Sequence, residues 1–161
     1  MTRWLSDDEQ RAWRAFLTAN RLLTLELEKG HQQHGLSSSD YEVLVNLSEA
    51  EGRRLRMWEL AQRTLLEKSR LSHQITRMEK AGLVRRESCP GDRRGQFAVL
   101  TDDGWEAIKR VAPHHVEQVR AMFIDRLDDE QLKTLTEIFA PMAEDLRQRC
   151  PKDDGATTGP E

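Results

Sequence analysis

The feature that most limits the fold of this chain is a pair of short amphipathic segments in its middle, separated by a break. The spacing of apolar residues predicts one helix over roughly 57–63, a turn at 64–67 and a second helix over roughly 68–81. Gly82 follows at the position where helices often end in the left-handed conformation. The second helix has one apolar line, formed by Leu71, Ile75 and Met78. Two short helices joined by a tight turn predict a helix-turn-helix motif.

The segment directly after the second helix predicts a two-stranded hairpin. Strand-like runs cover Leu83–Ser88 and Gln96–Leu100, and the connection between them reads CPGDRRG. Gly91 and Gly95 are expected to let this connection turn tightly, which would place two adjacent arginines at its tip. A tip of this kind is suited to the minor groove of DNA or to the phosphates beside it, because a narrow minor groove attracts arginine.

Longer helices are predicted on both sides of this motif. Ser6 with Glu9 forms a capping box at the start of the first helix, and Ser39 with Glu42 repeats the signature at the start of the second. Two more helices follow the hairpin, the first of them beginning at Thr101. The predicted fold class is mainly α, a winged helix-turn-helix lobe with helical extensions at both ends, in the order α1-α2-α3-α4-β-β-α5-α6.

The distribution of charge indicates what the middle of the chain binds. The net charge of the whole chain is −3, which by itself does not suggest nucleic acid. The segment from Arg53 to Arg94, however, contains twelve Lys and Arg residues and only five Asp and Glu, an excess of seven positive charges. The remainder carries an excess of ten negative charges. A basic middle between acidic flanks predicts a polyanion-binding module carried on a separate scaffold.

The helix-turn-helix geometry selects the residues expected to contact double-stranded DNA. The second helix of such a motif enters the major groove and presents its polar side to base edges. Its expected DNA contacts are Lys68, Ser69, Arg70, Ser72, His73, Gln74 and Arg77. The expected contacts of the hairpin are Arg86, Asp92, Arg93 and Arg94, with Asp92 orienting a neighbouring arginine. Arginine can pair with guanine and glutamine with adenine, whereas the serines are better suited to phosphate or water.

These same residues resemble the MarR family of bacterial transcriptional regulators. DRRGQFAVLT fits the family's wing pattern D-x-R-x-x-x-x-x-L-T, with Asp92, Arg94, Leu100 and Thr101 at the fixed positions. GLSSSDYEVLVNL is similar to the family's second helix. LSHQITRMEKAGLVRR is similar to its recognition helix running into the first wing strand. The likeness extends over about residues 5–148.

The resemblance implies a homodimer that binds a pseudo-palindromic operator in the cytoplasm, as a ligand-responsive repressor. It implies a helical dimerisation domain from residues 5–30 and 102–149 and a winged helix-turn-helix domain from 36–101, followed by a flexible tail at 150–161. The hydrophobic content of 37% is low for an independent globule and independently favours an oligomer.

Members of this family often bind small aromatic acids or drugs between the dimerisation helices and the winged lobe. The resemblance therefore implies a phenolic or aromatic-acid effector. The residues expected to line its pocket are Trp13, Phe16, His34, Tyr41 and Trp58.

Two alternative functions stay open, and two other classes are not expected. A winged helix can contact protein instead of DNA, and a zinc-responsive regulator would use HQQH (His31, His34) with His114 and His115. Adjacent histidines point about 100° apart on a helix, so no metal site and no cofactor are expected. No catalytic motif or membrane-length apolar run occurs, so neither an enzyme nor a membrane protein is expected. Cys89 and Cys150 lie outside any CxxC pattern and away from the N-terminal position of the family's peroxide sensors.

Overall fold

The computed structural model describes residues 1–89 and 91–149, without the side chains of Arg93 and Arg94. The chain divides into two units, Met1–Val119 and a C-terminal unit that begins at Arg120. The helices are α1 (Asp7–Gln33), α2 (Ser38–Glu49), α3 (Met57–Thr64), α4 (Lys68–Lys80), α5 (Asp102–Met122) and α6 (Asp129–Arg149). The strands are β1 (Arg54–Arg56), β2 (Val84–Cys89) and β3 (Asp92–Leu100), and 3₁₀ turns occupy Glu51–Arg53 and Ile124–Arg126. The predicted fold class is confirmed, with one strand added.

The two N-terminal helices begin at serines, but only one of these was predicted. Ser6 Oγ accepts a hydrogen bond from the Glu9 N–H at 3.3 Å, and the Ser6 N–H donates to Glu9 Oε2 at 2.7 Å, which confirms the capping box. The predicted cap at Ser39 is wrong. Ser37 is the cap of α2, because it is the last residue in an extended conformation, and its Oγ accepts from the Asp40 N–H at 3.1 Å.

The helix-turn-helix is confirmed with the boundaries close to those predicted. The Gly82 N–H donates to Glu79 O at 2.9 Å and the Leu83 N–H donates to Met78 O at 3.0 Å. With Gly82 at a φ of 76°, these two bonds form the Schellman ending of α4. The apolar line of α4 is fully buried and packs into one core with side chains of α2, α3, α5 and the sheet.

The sheet has three antiparallel strands in the order β1-β3-β2, so the hairpin gains a strand that the sequence did not indicate. Strand β3 begins at Asp92 and not at the predicted Gln96, and Cys89 pairs with Asp92 across the turn. The register shifts between Ser88 and Cys89, which accommodates the extra residues of β3 as a bulge. The two arginines predicted at the tip therefore belong to strand β3 along their backbone.

Helix α5 is attached to the winged lobe through its first turn. Thr101 Oγ1 accepts from the Gly104 N–H at 3.0 Å and donates to Gly82 O at 2.6 Å. A Cβ at Gly104 would collide with the Leu83 carbonyl oxygen, so only glycine allows this approach of α5 to the backbone before β2.

In the C-terminal unit, α6 has no buried residue. It exposes the large apolar side chains of Ile138, Phe139, Met142 and Leu146. The predicted tail at 150–161, with Cys150, lies outside the described residues, whereas Cys89 is buried with a free thiol. No helix within residues 1–89 and 91–149 is both long and apolar enough to cross a membrane.

Candidate nucleic-acid interface

The polar face of α4 is largely exposed. Its 13 residues span about 20 Å, enough to cross a major groove about 12 Å wide. Six of the seven predicted contacts on this helix are exposed, and Gln74 is half-buried. The exposed six are Lys68, Ser69, Arg70, Ser72, His73 and Arg77. These side chains lie on the side opposite the buried apolar line, as the sequence predicts.

Two residues of this face are held by a carboxylate from another helix. Asp40 Oδ1, in the first turn of α2, accepts from Gln74 Nε2 at 3.1 Å and from Arg77 Nη2 at 2.5 Å. The Asp40 side chain is only 14% exposed, whereas that of Arg77 is 63% exposed. Asp40 was not among the predicted site residues.

Arg86 of β2 is tied to α4 by a set of hydrogen bonds. Its guanidinium pairs with Glu79 and donates to Ser72 O at 2.9 Å and to Thr76 Oγ1 at 3.1 Å. Its own N–H donates to Glu79 Oε1 at 2.8 Å. The side chain is 18% exposed, so the structure presents Arg86 chiefly as a brace between the wing and α4. Its predicted contact with DNA stays a prediction.

Asp92 organises the start of β3. Its Oδ1 accepts from the Gly95 N–H at 3.0 Å, and its Oδ2 accepts from Arg56 Nη1 of β1 at 3.2 Å. Asp92 therefore orients Arg56, which belongs to the strand that the sequence did not indicate. The side chains of Arg93 and Arg94 lie outside the described residues, so their predicted contacts with DNA stay predictions.

A groove of about 360 Å³ lies between α1, α2 and α5. Its lining includes His31, Ser38, Tyr41 and His115. His31 Nε2 and His115 Nδ1 share a hydrogen bond of 3.1 Å, and His31 Nδ1 and Ser38 Oγ share one of 2.7 Å. The Tyr41 ring stacks on His31, with the ring centroids 4.6 Å apart. Sequence reasoning considered His31 and His115 only as metal ligands, because their pairing joins positions 84 residues apart.

Burial sets the protonation of this groove. It lowers the pKa of both His31 and His115, and the proximity of His115 lowers that of His31 further. Hydrogen bonds from the Ser38 N–H and hydroxyl lower the pKa of the Glu28 carboxyl. The Ser38 N–H to Glu28 Oε2 bond measures 2.7 Å. The groove is therefore lined by neutral imidazoles backed by an ionised carboxylate at neutral pH.

Of the five residues predicted to line an effector pocket, the structure brings Tyr41 to this groove and places the other four elsewhere among the described residues. Trp13 and Phe16 lie on the exposed side of α1, and Trp58 is exposed on α3. His34 stacks on His114 with the ring centroids 4.3 Å apart, one helical turn from the His31 and His115 pair. The adjacent residues His114 and His115 of α5 therefore contact two different histidines of α1, His34 and His31 respectively.

The described part of the chain contains no group of three or more His, Cys, Asp or Glu side chains suited to holding a metal ion.

Comparisons with known proteins agree with this geometry. A family model described as the MarR family matches residues 34–95. The solved structure of AbsC, a MarR family transcriptional regulator from Streptomyces coelicolor, is 60% identical, with 91% of this chain and 99% of that chain covered and a TM-score of 0.89. Sco3205 from the same organism, a MarR family transcriptional regulator solved in complex with DNA, is 48% identical, with 91% and 92% covered and a TM-score of 0.88. The transcriptional regulator PecS of Dickeya dadantii is 28% identical over 68% of this chain and 67% of its own.

Proposed function

The chain belongs to the MarR family of DNA-binding transcriptional regulators, and from that premise we propose that it binds a pseudo-palindromic operator as a homodimer and represses transcription until an effector binds. The proposal depends mainly on the exposed polar face of α4. This helix is 13 residues long, and its opposite side is a buried apolar line. The 48% identity to Sco3205, whose structure was solved in complex with DNA, supports the same use of this face.

In the proposed complex, α4 lies in the major groove and the wing contacts the adjacent minor groove. Arg70 and the side chains beside it read base edges, because bidentate arginine and amide contacts discriminate between bases by about 1–3 kcal/mol each. Arg93 and Arg94 add contacts that position the protein on the phosphates or in the minor groove. Arg86 keeps the wing at a fixed distance from α4, since its hydrogen bonds join the two elements.

The proposed homodimer would use the helices outside the winged lobe, residues 5–30 and 102–149. Exposed large apolar side chains on α1 include Trp13, Leu17, Leu22 and Leu25, and α6 exposes a comparable set. A monomer that left so many large apolar side chains in water would be poorly soluble, so a second copy of the chain is the proposed partner. Two lobes in a dimer would reach half-sites about one helical turn of DNA apart.

The proposed effector site is the groove that contains His31, Tyr41 and His115. Both nitrogens of His31 are engaged within the groove, by Ser38 and His115, so the His115 ring is the member of the pair proposed to hydrogen-bond a phenol or a carboxylate, and the Tyr41 ring offers an aromatic surface. A phenolic or aromatic acid is the class of ligand proposed. Because the target is chromosomal DNA, the proposal places the protein in the cytoplasm.

The proposal is tested by selecting duplexes from a random pool on the full chain and measuring their binding by fluorescence anisotropy between 50 and 300 mM salt, roughly the range over which counterion release is visible. We expect an enriched inverted repeat, a dimer in sedimentation, and a steep loss of affinity as salt rises. Binding of the repeat should weaken in the presence of a phenolic or aromatic acid. A monomer that enriches no sequence and retards no duplex at low salt would refute the proposal, and recovery of a protein partner in its place would support the protein-interaction alternative.

A further inference from the structure

Asp40 of α2 contacts the proposed DNA-reading face of α4 but is not itself part of that face. Its carboxylate, on α2, is mostly buried, yet one of its oxygens binds two side chains of α4. From this geometry we propose that Asp40 is a positioning residue that determines base specificity. It holds Gln74 and Arg77 in the arrangement that reads bases, and it withholds the Arg77 charge from phosphates. This inference rests on the proposed function and concerns how the same face discriminates between sequences.

The spacing on α4 makes the shared contact effective. Gln74 and Arg77 are three residues apart and lie on one side of the helix. A single acceptor, Asp40 Oδ1, receives Gln74 Nε2 at 3.1 Å and Arg77 Nη2 at 2.5 Å, so the two side chains are fixed relative to each other. Long side chains that are already ordered lose less conformational entropy when they pair with a base. Holding both in place therefore favours the sequences that match their arrangement.

The negative charge of Asp40 lowers the affinity for non-specific DNA. Sequence-independent affinity grows with the number of phosphates that Lys and Arg neutralise. The Asp40 carboxylate compensates the charge of Arg77 and draws its guanidinium towards α2. Asp40 therefore weakens binding to any duplex and strengthens the preference for the matching one.

A purely structural role for the Asp40 side chain is not required by α2. The cap of this helix is the bond from the Asp40 N–H to Ser37 Oγ at 3.1 Å, which uses the backbone and survives replacement of the side chain. Asparagine at this position keeps the size and the acceptor oxygen but loses the charge. Asp40→Asn therefore separates the charge of the side chain from the fold of the helix.

The experiment compares the enriched inverted repeat with a scrambled duplex of the same composition, using the full-length wild-type chain, Asp40→Asn and Asp40→Glu. Glu49→Gln is the matched control, because it removes the same charge from an exposed residue at the other end of α2. For Asp40→Asn we expect the ratio of specific to scrambled affinity to fall by roughly three- to tenfold, the range of one weakened base contact. Binding to the scrambled duplex should tighten, with a salt dependence steeper by about one unit of slope. Asp40→Glu should keep most of the ratio, and Glu49→Gln should leave it unchanged.

A second background tests whether Asp40 acts through its two partners. In a chain that carries Gln74→Ala and Arg77→Ala, Asp40→Asn should cause no further change in the affinity ratio. A ratio in Asp40→Asn equal to that of the wild type overturns the inference, and so does a loss that persists in the doubly substituted background. If Asp40→Asn lowers the melting temperature too far for comparison, Asp40→Ser provides the same test, because serine is well suited to the start of a helix. A wild-type chain that shows no preference between the two duplexes refutes the proposed function itself, whereas a preference that Asp40→Asn leaves intact refutes this inference alone.

Discussion

Replacing Arg86 with alanine should destabilise the winged lobe far more than the same change at the residue before it. The Arg86 side chain is 18% exposed, and its guanidinium bonds Glu79, the Ser72 carbonyl and the Thr76 hydroxyl. Hydrogen bonds that involve a charged group contribute about 1.5–3 kcal/mol each, but the bonds of one side chain are not additive. Glu79 remains 31% exposed and keeps its bond from the Arg86 N–H, so water can solvate the carboxylate that is left behind. We therefore expect a loss of about 2–3 kcal/mol in the free energy of unfolding.

Arg85→Ala is the control, because it removes the same side chain from the same strand. Its guanidinium pairs with Glu87, but the two side chains are 54% and 35% exposed, and exposed pairs contribute about 0–1 kcal/mol. Urea denaturation of the wild type and both variants, at one protein concentration, measures the two losses. Arg86→Lys should recover part of the stability, since it keeps the charge but not the forked geometry. Equal losses for Arg85→Ala and Arg86→Ala would refute the assignment of Arg86 as the brace between β2 and α4.

Three other substitutions or conditions have defined outcomes. Gly104→Ala should cost about 1–3 kcal/mol of unfolding free energy in urea denaturation, because its methyl group would collide with the Leu83 carbonyl. The free energy of unfolding should be greatest above about pH 6.5 and should fall on acidification. Folding lowers the pKa of His31 and His115, so the unfolded chain takes up protons first as the pH falls. Urea denaturation at neutral and acidic pH measures this fall, which should be smaller for His115→Gln. Arg94→Ala should weaken binding to all duplexes in anisotropy titrations and reduce the salt slope by roughly one unit, and an unchanged slope would contradict the wing assignment.

Elements with a strong local signal could be predicted from the sequence alone. The capping box of Ser6 and Glu9 is formed by residues three apart, and the Schellman ending at Gly82 is formed within the six residues from Met78 to Leu83. The apolar line of α4 was likewise visible, because a helix repeats its buried positions every three or four residues. In each case the residues that stabilise the feature are close together in the sequence.

Strand β1 and the long β3 could not be predicted in this way. β1 is three residues long and contains two arginines, and its strand conformation depends on pairing Arg54 with Val99 and Arg56 with Phe97. Asp92, the first residue of β3, is also bonded through its carboxylate to Arg56 of β1. Because these partners are more than thirty-five residues away along the chain, no local sequence pattern predicts the pairing.

The groove illustrates the same limit for the candidate site. The sequence shows four histidines in two close pairs, and local spacing puts only His31 and His34 on one helical face, since the adjacent His114 and His115 point about 100° apart. The structure pairs them across helices, His31 with His115 and His34 with His114. Which side of α1 meets which side of α5 depends on tertiary packing, so the hydrogen-bonded imidazoles could be recognised only from the fold.

Asp40 was not predicted because its partners on α4 lie 34 and 37 residues away along the chain, and the start of α2 was also misplaced. The segment SSSD contains four residues that are all good caps, and local preference does not choose between them. Once Ser37 is the cap, Ser38 and Asp40 are both helical and, two residues apart, point about 200° from each other. Ser38 therefore meets His31 on one side of α2, while Asp40 meets Arg77 on the other. A helix that began after Ser39 would still include Asp40 but would exclude Ser38, so the position of the cap decides whether one turn of α2 contacts both the groove and the polar face of α4.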